Sequence, residues 1–137
     1  MADLPPEVDV AIVGAGPAGL AAAAELCRLG AGRVLVIERE TEAGGVPRFC
    51  GHSPYGLREF GRPVLGPAYA RALVARAEAA GAQIATGVTV TALHDGPHLT
   101  VTSDAGRGEV AARLVLLTTG IRETTRAGRM IGGTKPG

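Results

Sequence analysis

The chain has 137 residues, with fourteen basic and thirteen acidic side chains and a formal net charge of +1. That near-balance, with no basic run, leaves nucleic acid without an electrostatic footprint. At 46% hydrophobic and 3% aromatic, the chain has enough Ala, Val and Leu to bury one core, and the expectation is a single domain.

Residues 1–7 read as a loose, proline-bearing lead-in. Val8 to Val13 is a mostly apolar run, as a central parallel strand should be. Pro17 to Leu29 reads as a helix, with proline tolerated in its first turn and Gly30 or Gly32 as the stop. Val34 to Ile37 is a second buried strand, and the three elements make a βαβ unit whose crossover should be right-handed. The uncharged run from Val10 to Ala24 contains three glycines and a proline and falls short of the ~20 apolar residues a spanning helix needs. Asp3, Glu7 and Asp9 precede it where a secretory leader would be basic. The expectation is a protein with no transmembrane segment. Cys27 and Cys50 have neither CxxC nor metal-ligand spacing, so no metal site is expected and a reducing cytoplasm fits. Cys27 falls in the first helix and reads as a buried free thiol.

Residues 40–66 carry Gly44, Gly45, Gly51, Gly56, Gly61 and Gly66 interleaved with Pro47, Pro54 and Pro63. No helical or strand period survives there, and a loop of this length in a compact domain is expected to be functional or disordered. Pro67 opens a helix to about Ala80, with Ala70, Leu73, Val74 and Ala77 at helical spacing and Gly81 closing it. Ile84 and Ala85 begin a third strand. Over 88–112 the pattern changes to "VTVTAL", "HLTVTS" and "GEVAA", separated by "HDGP" and "DAGR", which is a β-meander. "RLVLLTTG" reads as one more buried strand meeting a glycine. The expected fold is α/β, a Rossmann-like parallel sheet with a crossover helix and an inserted three-stranded β-meander. The domain is placed at 8–122, with 123–137 as the start of a further connection.

Gly14, Gly16 and Gly19 form GxGxxG directly after a strand and at the start of a helix. The first glycine permits the tight turn, the second lets backbone approach a pyrophosphate, and the third lets helix pack on strand. The helix amino end adds unpaired N–H groups and partial positive charge. Glu38, at the end of the second strand, is placed where its carboxylate can accept from both hydroxyls of an adenosine ribose and would repel a 2′-phosphate. Dinucleotide binding is the reading. Three features favour FAD over NAD: "ERETEAGG", which brings Gly44 and Gly45 near the cofactor; the inserted meander; and "LVLLTTGIRE", which delivers Thr118, Thr119 and Gly120 to its edge.

These residues resemble the amino-terminal FAD-binding region of the two-dinucleotide-binding flavoprotein oxidoreductases, which include thioredoxin reductase and glutathione reductase. "GGVPRFCGH", "YGLREFGRPVLGPAYARAL" and "TTGIRET" look most like FAD-dependent amine and imino-acid dehydrogenases, such as the opine oxidase, hydroxyproline dehydrogenase and hydrogen cyanide synthase flavin subunits. The resemblance spans about residues 8–135 and implies FAD as cofactor. It assigns Gly14, Gly16, Pro17, Ala18 and Gly19 to the pyrophosphate and Glu38, with Arg39 beside it, to the ribose end. Gly45 is implied against the ribityl and pyrophosphate portion, Val90 near adenine, and Thr119 and Gly120 across the cofactor. Thr118 stands where the family usually has alanine, Phe49 where relatives often carry a polar residue, and the redox dithiol of the disulfide reductases is absent.

The chemistry would belong to the flavin, with protein groups orienting an amine or amino-acid substrate. Arg48 or Arg58 could hold a substrate carboxylate and His52 could manage a proton. Cys50 and Tyr55 share that loop. His94 and His98 flank a meander turn and read as structural, and Arg122 and Glu123 follow the glycine turn. Family members run several times this length, so the FAD domain is expected to be incomplete, with a partner subunit or a carboxy-terminal half supplying the flavin side. Three readings stay open: an FAD-dependent oxidoreductase or part of one, a non-catalytic nucleotide-binding or assembly module, and a small NAD-binding domain.

Overall fold

The computed structural model describes residues 4–121. Arg122, Glu123 and the rest of the expected connection lie outside the described residues.

β1 (Glu7–Val13) and β2 (Val34–Ile37) are joined by the helix α1 (Pro17–Arg28). All four residues of β2 are buried, because they pair on both edges and are covered on both faces. α1 starts with proline at its first position and buries Gly19, Leu20, Ala23 and Ala24. Those positions form one face at helical spacing, and their small size lets the helix lie close to the sheet. After α1 the Gly30 N–H donates to the Cys27 carbonyl and the Ala31 N–H to the Leu26 carbonyl, with Gly30 at φ +73°, the left-handed turn that ends helices. Burial pushes the Cys27 thiol above its ordinary value.

The 40–66 segment carries more order than its composition suggests. It holds a 3-10 turn at Val46–Phe49 and the one-turn helix α2 (Leu57–Phe60). Tyr55 and Val64 exchange both backbone hydrogen bonds, at 3.0 and 2.8 Å. The reason is aromatic. Tyr55 and Phe60 lie 5.5 and 5.9 Å from the Tyr69 ring, and Tyr69 is buried on α3 (Gly66–Ala79). Three of the four Phe and Tyr side chains therefore gather in one cluster that pins the segment to α3, an order no hydrophobic period announces.

β3 (Gln83–Ala85), β4 (Thr89–His94), β5 (His98–Ser103) and β6 (Gly106–Leu117) complete a six-stranded sheet in the order β3-β2-β1-β6-β5-β4. The expected third meander strand and the expected final strand are one element. The first half of β6 pairs antiparallel with β5 through Gly106–Ala111, and its second half pairs parallel with β1 through Ala111–Leu117. No turn residue interrupts Ala111 to Leu117, so the chain runs straight from one partner to the other. The meander extends the parallel sheet instead of being inserted beside it. The expected burial of "RLVLL" also needs correction: Leu114 and Leu117 are 52% and 60% exposed. Of the helices on the helix-side core, α1 packs on α3, β2 and β1 and α3 packs on α1 and the 3-10 turn, away from β6.

The sheet separates two cores. One joins Leu20 and Ala23 of α1 and Tyr69, Leu73 and Ala77 of α3 to Val10, Ile12, Val34 and Val36. The other is made mainly from strand residues, among them Ala11, Leu35, Ile37, Leu99, Val101 and Val110. Leu4 packs against this second core and the Pro6 carbonyl accepts from the Ala111 N–H, so the lead-in from residue 4 is attached to the sheet. His94 bonds Thr100 across the β4–β5 pair at 2.9 Å, a structural position.

Leu73 is 2% exposed in the first core. Leu73→Ala is expected to cost about 2–5 kcal/mol in urea unfolding with an unchanged m value, whereas Leu93→Ala, at a residue 51% exposed, should leave the midpoint nearly unmoved.

Candidate functional site

The strand register aligns three chain segments. Val13 pairs with Ile37 on one side and with Leu117 on the other. The next residue in each strand, Gly14, Glu38 and Thr118, therefore stands abreast of the other two at the carboxyl ends of the parallel strands. β1 lies where the chain leaves to opposite sides of the sheet, the place at which open α/β sheets bind ligands.

The turn from Gly14 to Gly19 is tightly fitted. Gly14 has φ +105°, and a side-chain carbon there would come 2.5 Å from the Thr118 carbonyl oxygen. A side chain on Gly19 would strike the Gly14 carbonyl and the Thr118 hydroxyl. Gly16 differs from both. It has ordinary angles, φ −78° and ψ −179°, and nothing lies within 4 Å of where its side-chain carbon would sit. The fold does not require a glycine at 16, and the space its missing side chain leaves opens into a cavity. The first-turn N–H groups of α1 face that end of the helix without intrahelical partners.

Hydrogen bonds tie the turn to its surroundings. The Gly14 N–H donates to the Ile37 carbonyl, and the Ala15 carbonyl accepts from the Gly44 N–H, both at 2.8 Å. Glu38 is 9% exposed and each carboxylate oxygen accepts one backbone N–H: Oε2 from Ala15 at 2.8 Å and Oε1 from Glu40 at 3.0 Å. From sequence this residue has one duty, toward a ribose; the structure adds a second, holding the loops together. A carboxylate offers about four acceptor positions, so each oxygen keeps capacity toward the cavity. Gly45, at φ +64°, sits against Gly16, and a side chain there would come 2.8 Å from the Gly16 Cα.

The cavity has a volume of about 680 Å³, within the range of small-molecule and cofactor sites. Gly14, Gly16, Pro17, Ala18, Glu38, Arg39, Gly45, Val90, Thr119 and Gly120 all border it, while Gly19 is buried behind the turn. Arg39 is paired with Glu40 at 3.4 Å and largely exposed. Thr118, expected at the cofactor edge with Thr119 and Gly120, borders it too, and the lining also includes Val13, Ile37 and Val88, which the sequence reading did not place there. Strand register was the available signal, since each of these residues lies beside an expected one. Val46, Phe49 and Ile121 also border the cavity and are 67%, 77% and 92% exposed, adding apolar surface to its lining.

The substrate-side candidates separate. Arg48 borders the cavity, but its guanidinium bonds the Glu42 carbonyl at 2.8 Å and pairs with the Glu42 carboxylate at 3.1 Å. Its position over the Phe49 ring, 5.0 Å from the centroid, adds a cation–π contact. His52 and Arg58 are exposed and do not border the cavity; His52 lies 5.6 Å from the Tyr55 ring. The Cys50 thiol approaches the Val46 carbonyl at 3.6 Å. The neighbouring Cys50 side chain, together with burial, raises Tyr55 above the usual phenol value.

A family model described as FAD binding domain matches residues 7–58. The sarcosine oxidase alpha subunit of Corynebacterium sp. (strain P-1) is 65% identical over 37 residues, 27% of this chain and 4% of that protein. Its counterpart from strain U-96 is 60% identical over 40 residues, 29% of this chain and 4% of that protein. The chain thus spans a small fraction of the length of the curated relatives it matches. Among solved structures, L-proline dehydrogenase from P. horikoshii superposes with a TM-score of 0.71 at 27% identity, covering 87% of this chain and 24% of that one. OxyS anhydrotetracycline hydroxylase from Streptomyces rimosus gives 0.67 at 26% identity, covering 89% and 33%.

Two glycine substitutions separate fold from site. Gly14→Ala forces a side chain into a positive-φ turn against Thr118 and is expected to cost about 1–3 kcal/mol. Gly16→Ala meets no atom and should leave the thermal midpoint within a degree or two of wild type, with both read by circular dichroism melting.

Proposed function

From the match of residues 7–58 to a family model described as FAD binding domain, we propose that this chain carries the FAD-binding part of an FAD-dependent oxidoreductase and serves an enzyme that oxidises an amine or an imino or amino acid. Gly16 is the single observation that carries the cofactor geometry: a glycine the backbone does not need, beside an open space at the amino end of a helix. A pyrophosphate can approach there because no Cβ stands in the way.

In this reading the main chain at Gly14, Gly16, Pro17, Ala18 and Gly19 cradles the pyrophosphate. The Glu38 carboxylate accepts from the ribose hydroxyls with Arg39 beside it, and Gly45 closes over the ribityl portion. Val90 lies by adenine, and Thr119 and Gly120 pass along the cofactor edge. FAD, when bound, supplies a two-electron acceptor for the hydride of a substrate C–H bond. Phe49, Val46 and Ile121 offer apolar surface to the bound cofactor. The compartment is the reducing cytoplasm, in keeping with free Cys27 and Cys50, and no helix among the described residues is long and apolar enough to cross a membrane. Further protein, as a partner subunit or as additional chain, completes the flavin side.

Two partial matches whose names specify sarcosine and L-proline support this substrate class. Both compounds are secondary amines with a carboxylate on the adjacent carbon. One observation favours a second reading, a nucleotide-binding module without turnover. Of Arg48, His52 and Arg58, only Arg48 borders the cavity, and its guanidinium is engaged by Glu42.

The chain is expected to carry the visible absorbance band of flavin when purified with the protein that completes its flavin side, and anaerobic addition of sarcosine or L-proline to that holoenzyme should bleach it. A colourless protein that binds NADH would overturn the flavin assignment, and flavin that neither compound bleaches would favour the module. Gly16→Val should abolish FAD binding while the circular dichroism spectrum is retained. Glu38→Ala removes a hydrogen bond to a charged group, about 1.5–3 kcal/mol, so FAD affinity should fall about tenfold to a hundredfold in a fluorescence titration. The same change should lower stability, because the Ala15 and Glu40 N–H groups lose their acceptor.

A further inference from the structure

We propose that Thr118 and Glu38 act together as positioning residues that clamp the two ends of a single peptide group, Gly14–Ala15, and hold the turn in its ligand-ready shape before any ligand arrives. The consequence for affinity rests on the nucleotide-binding reading above; the clamp itself does not.

The carbonyl and the N–H of one peptide group point in opposite directions, and here a side chain from each flanking strand end receives one of them. On the β6 side the Thr118 hydroxyl lies 2.8 Å from the Gly14 carbonyl oxygen and 3.0 Å from that of Val13. It has one proton to give. The Val13 carbonyl already accepts from the Thr118 N–H at 2.9 Å, whereas the Gly14 carbonyl has no backbone donor among the described residues. The hydroxyl proton therefore belongs to Gly14. On the β2 side the Ala15 N–H donates to Glu38 Oε2 at 2.8 Å. Both bonds have the short, well-formed distances of real hydrogen bonds.

A clamp is needed because of the residue it acts on. Gly14 sits at φ +105°, and a glycine can rotate its following peptide with little steric penalty. A rotated Gly14–Ala15 peptide would exchange its carbonyl and N–H directions and re-aim the backbone that leads into Gly16. Two side-chain bonds on opposite ends of the plane oppose that rotation. The Ala15 carbonyl is fixed in turn by Gly44, so each backbone polar group from the Gly14 N–H to the Ala15 carbonyl has a partner. The amides that follow, at the start of α1, remain for a ligand.

Amide hydrogen exchange on the ligand-free chain, read by NMR at Ala15, tests the clamp directly. Thr118→Val keeps the side-chain shape without the hydroxyl and should accelerate Ala15 exchange about tenfold relative to Ile12 and Val36, as expected for loss of one hydrogen bond. Thr118→Ser retains the donor and should exchange as wild type does. Affinity for ADP should fall about fivefold to tenfold in Thr118→Val and be restored in Thr118→Ser. Adding Glu38→Gln to Thr118→Val should accelerate Ala15 exchange by less than the product of the two single effects, because both act on one peptide. Should the valine variant fail to fold, Thr118→Ala carries the same expectation. Unchanged Ala15 exchange in a folded variant lacking the hydroxyl, or equal acceleration in the serine variant, would overturn the clamp. A wild-type chain that binds neither ADP nor FAD, yet shows the exchange pattern, would leave the clamp standing and remove the nucleotide reading.

Discussion

The register at the end of β1 is the constraint on which the rest of the structure depends. Val13 pairs with Ile37 and with Leu117, so the chain must turn at Gly14 between Glu38 on one flank and Thr118 on the other. The turn can close only with a residue that tolerates φ +105° and has no side chain to meet the Thr118 carbonyl. From that one closure follow the packing of Gly19 behind the turn, the direction of α1, and the cavity in front of Gly16. A one-residue slip of either neighbouring strand would turn its side chains to the opposite face and separate the Glu38 carboxylate from the Ala15 N–H.

The two cores divide the labour of keeping that register. α1 and α3 press Leu20, Ala23, Leu73 and Ala77 onto one side of β1 and β2. The meander contributes Leu99, Val101 and Val110 to the other side, with Ala11, Leu35 and Ile37. β6 belongs to both arrangements because it pairs first with β5 and then with β1. It transmits the position of the meander to Thr118. The aromatic cluster of Tyr55, Phe60 and Tyr69 fixes the 40–66 segment, and through it Gly44 and Gly45 come to lie on the turn. Elements far apart in sequence thereby converge on a few main-chain atoms.

The cavity is lined by two kinds of surface. At the turn, donors and acceptors are prearranged by main chain and by two buried or half-buried side chains, which lowers the ordering cost of a ligand. Val46, Phe49 and Ile121 instead present apolar surface to water, and Arg48 faces Glu42. The first kind suits the nucleotide of the proposed cofactor. The second offers few polar groups to orient a substrate, and the proposed enzyme needs further protein there.

What the amino-acid sequence determined by itself was local. An apolar run, three spaced glycines, a proline at a helix start and an acid closing the next strand specify a βαβ unit and its glycine turn, because each rests on backbone conformation or on a short periodic pattern. Asp-Gly and Asp-Ala-Gly marked the meander turns for the same reason. Only the tertiary structure decided what depends on long-range contact. It fused two expected strands into β6, gathered the aromatics under a glycine-rich segment, turned Arg48 toward Glu42, and kept His52 and Arg58 off the cavity lining. It also joined Thr118 and Glu38 across a single peptide, 104 and 23 positions from their partners in the chain. No local pattern records a hydrogen bond of that span, since it comes into being only when the sheet brings its strand ends into one row.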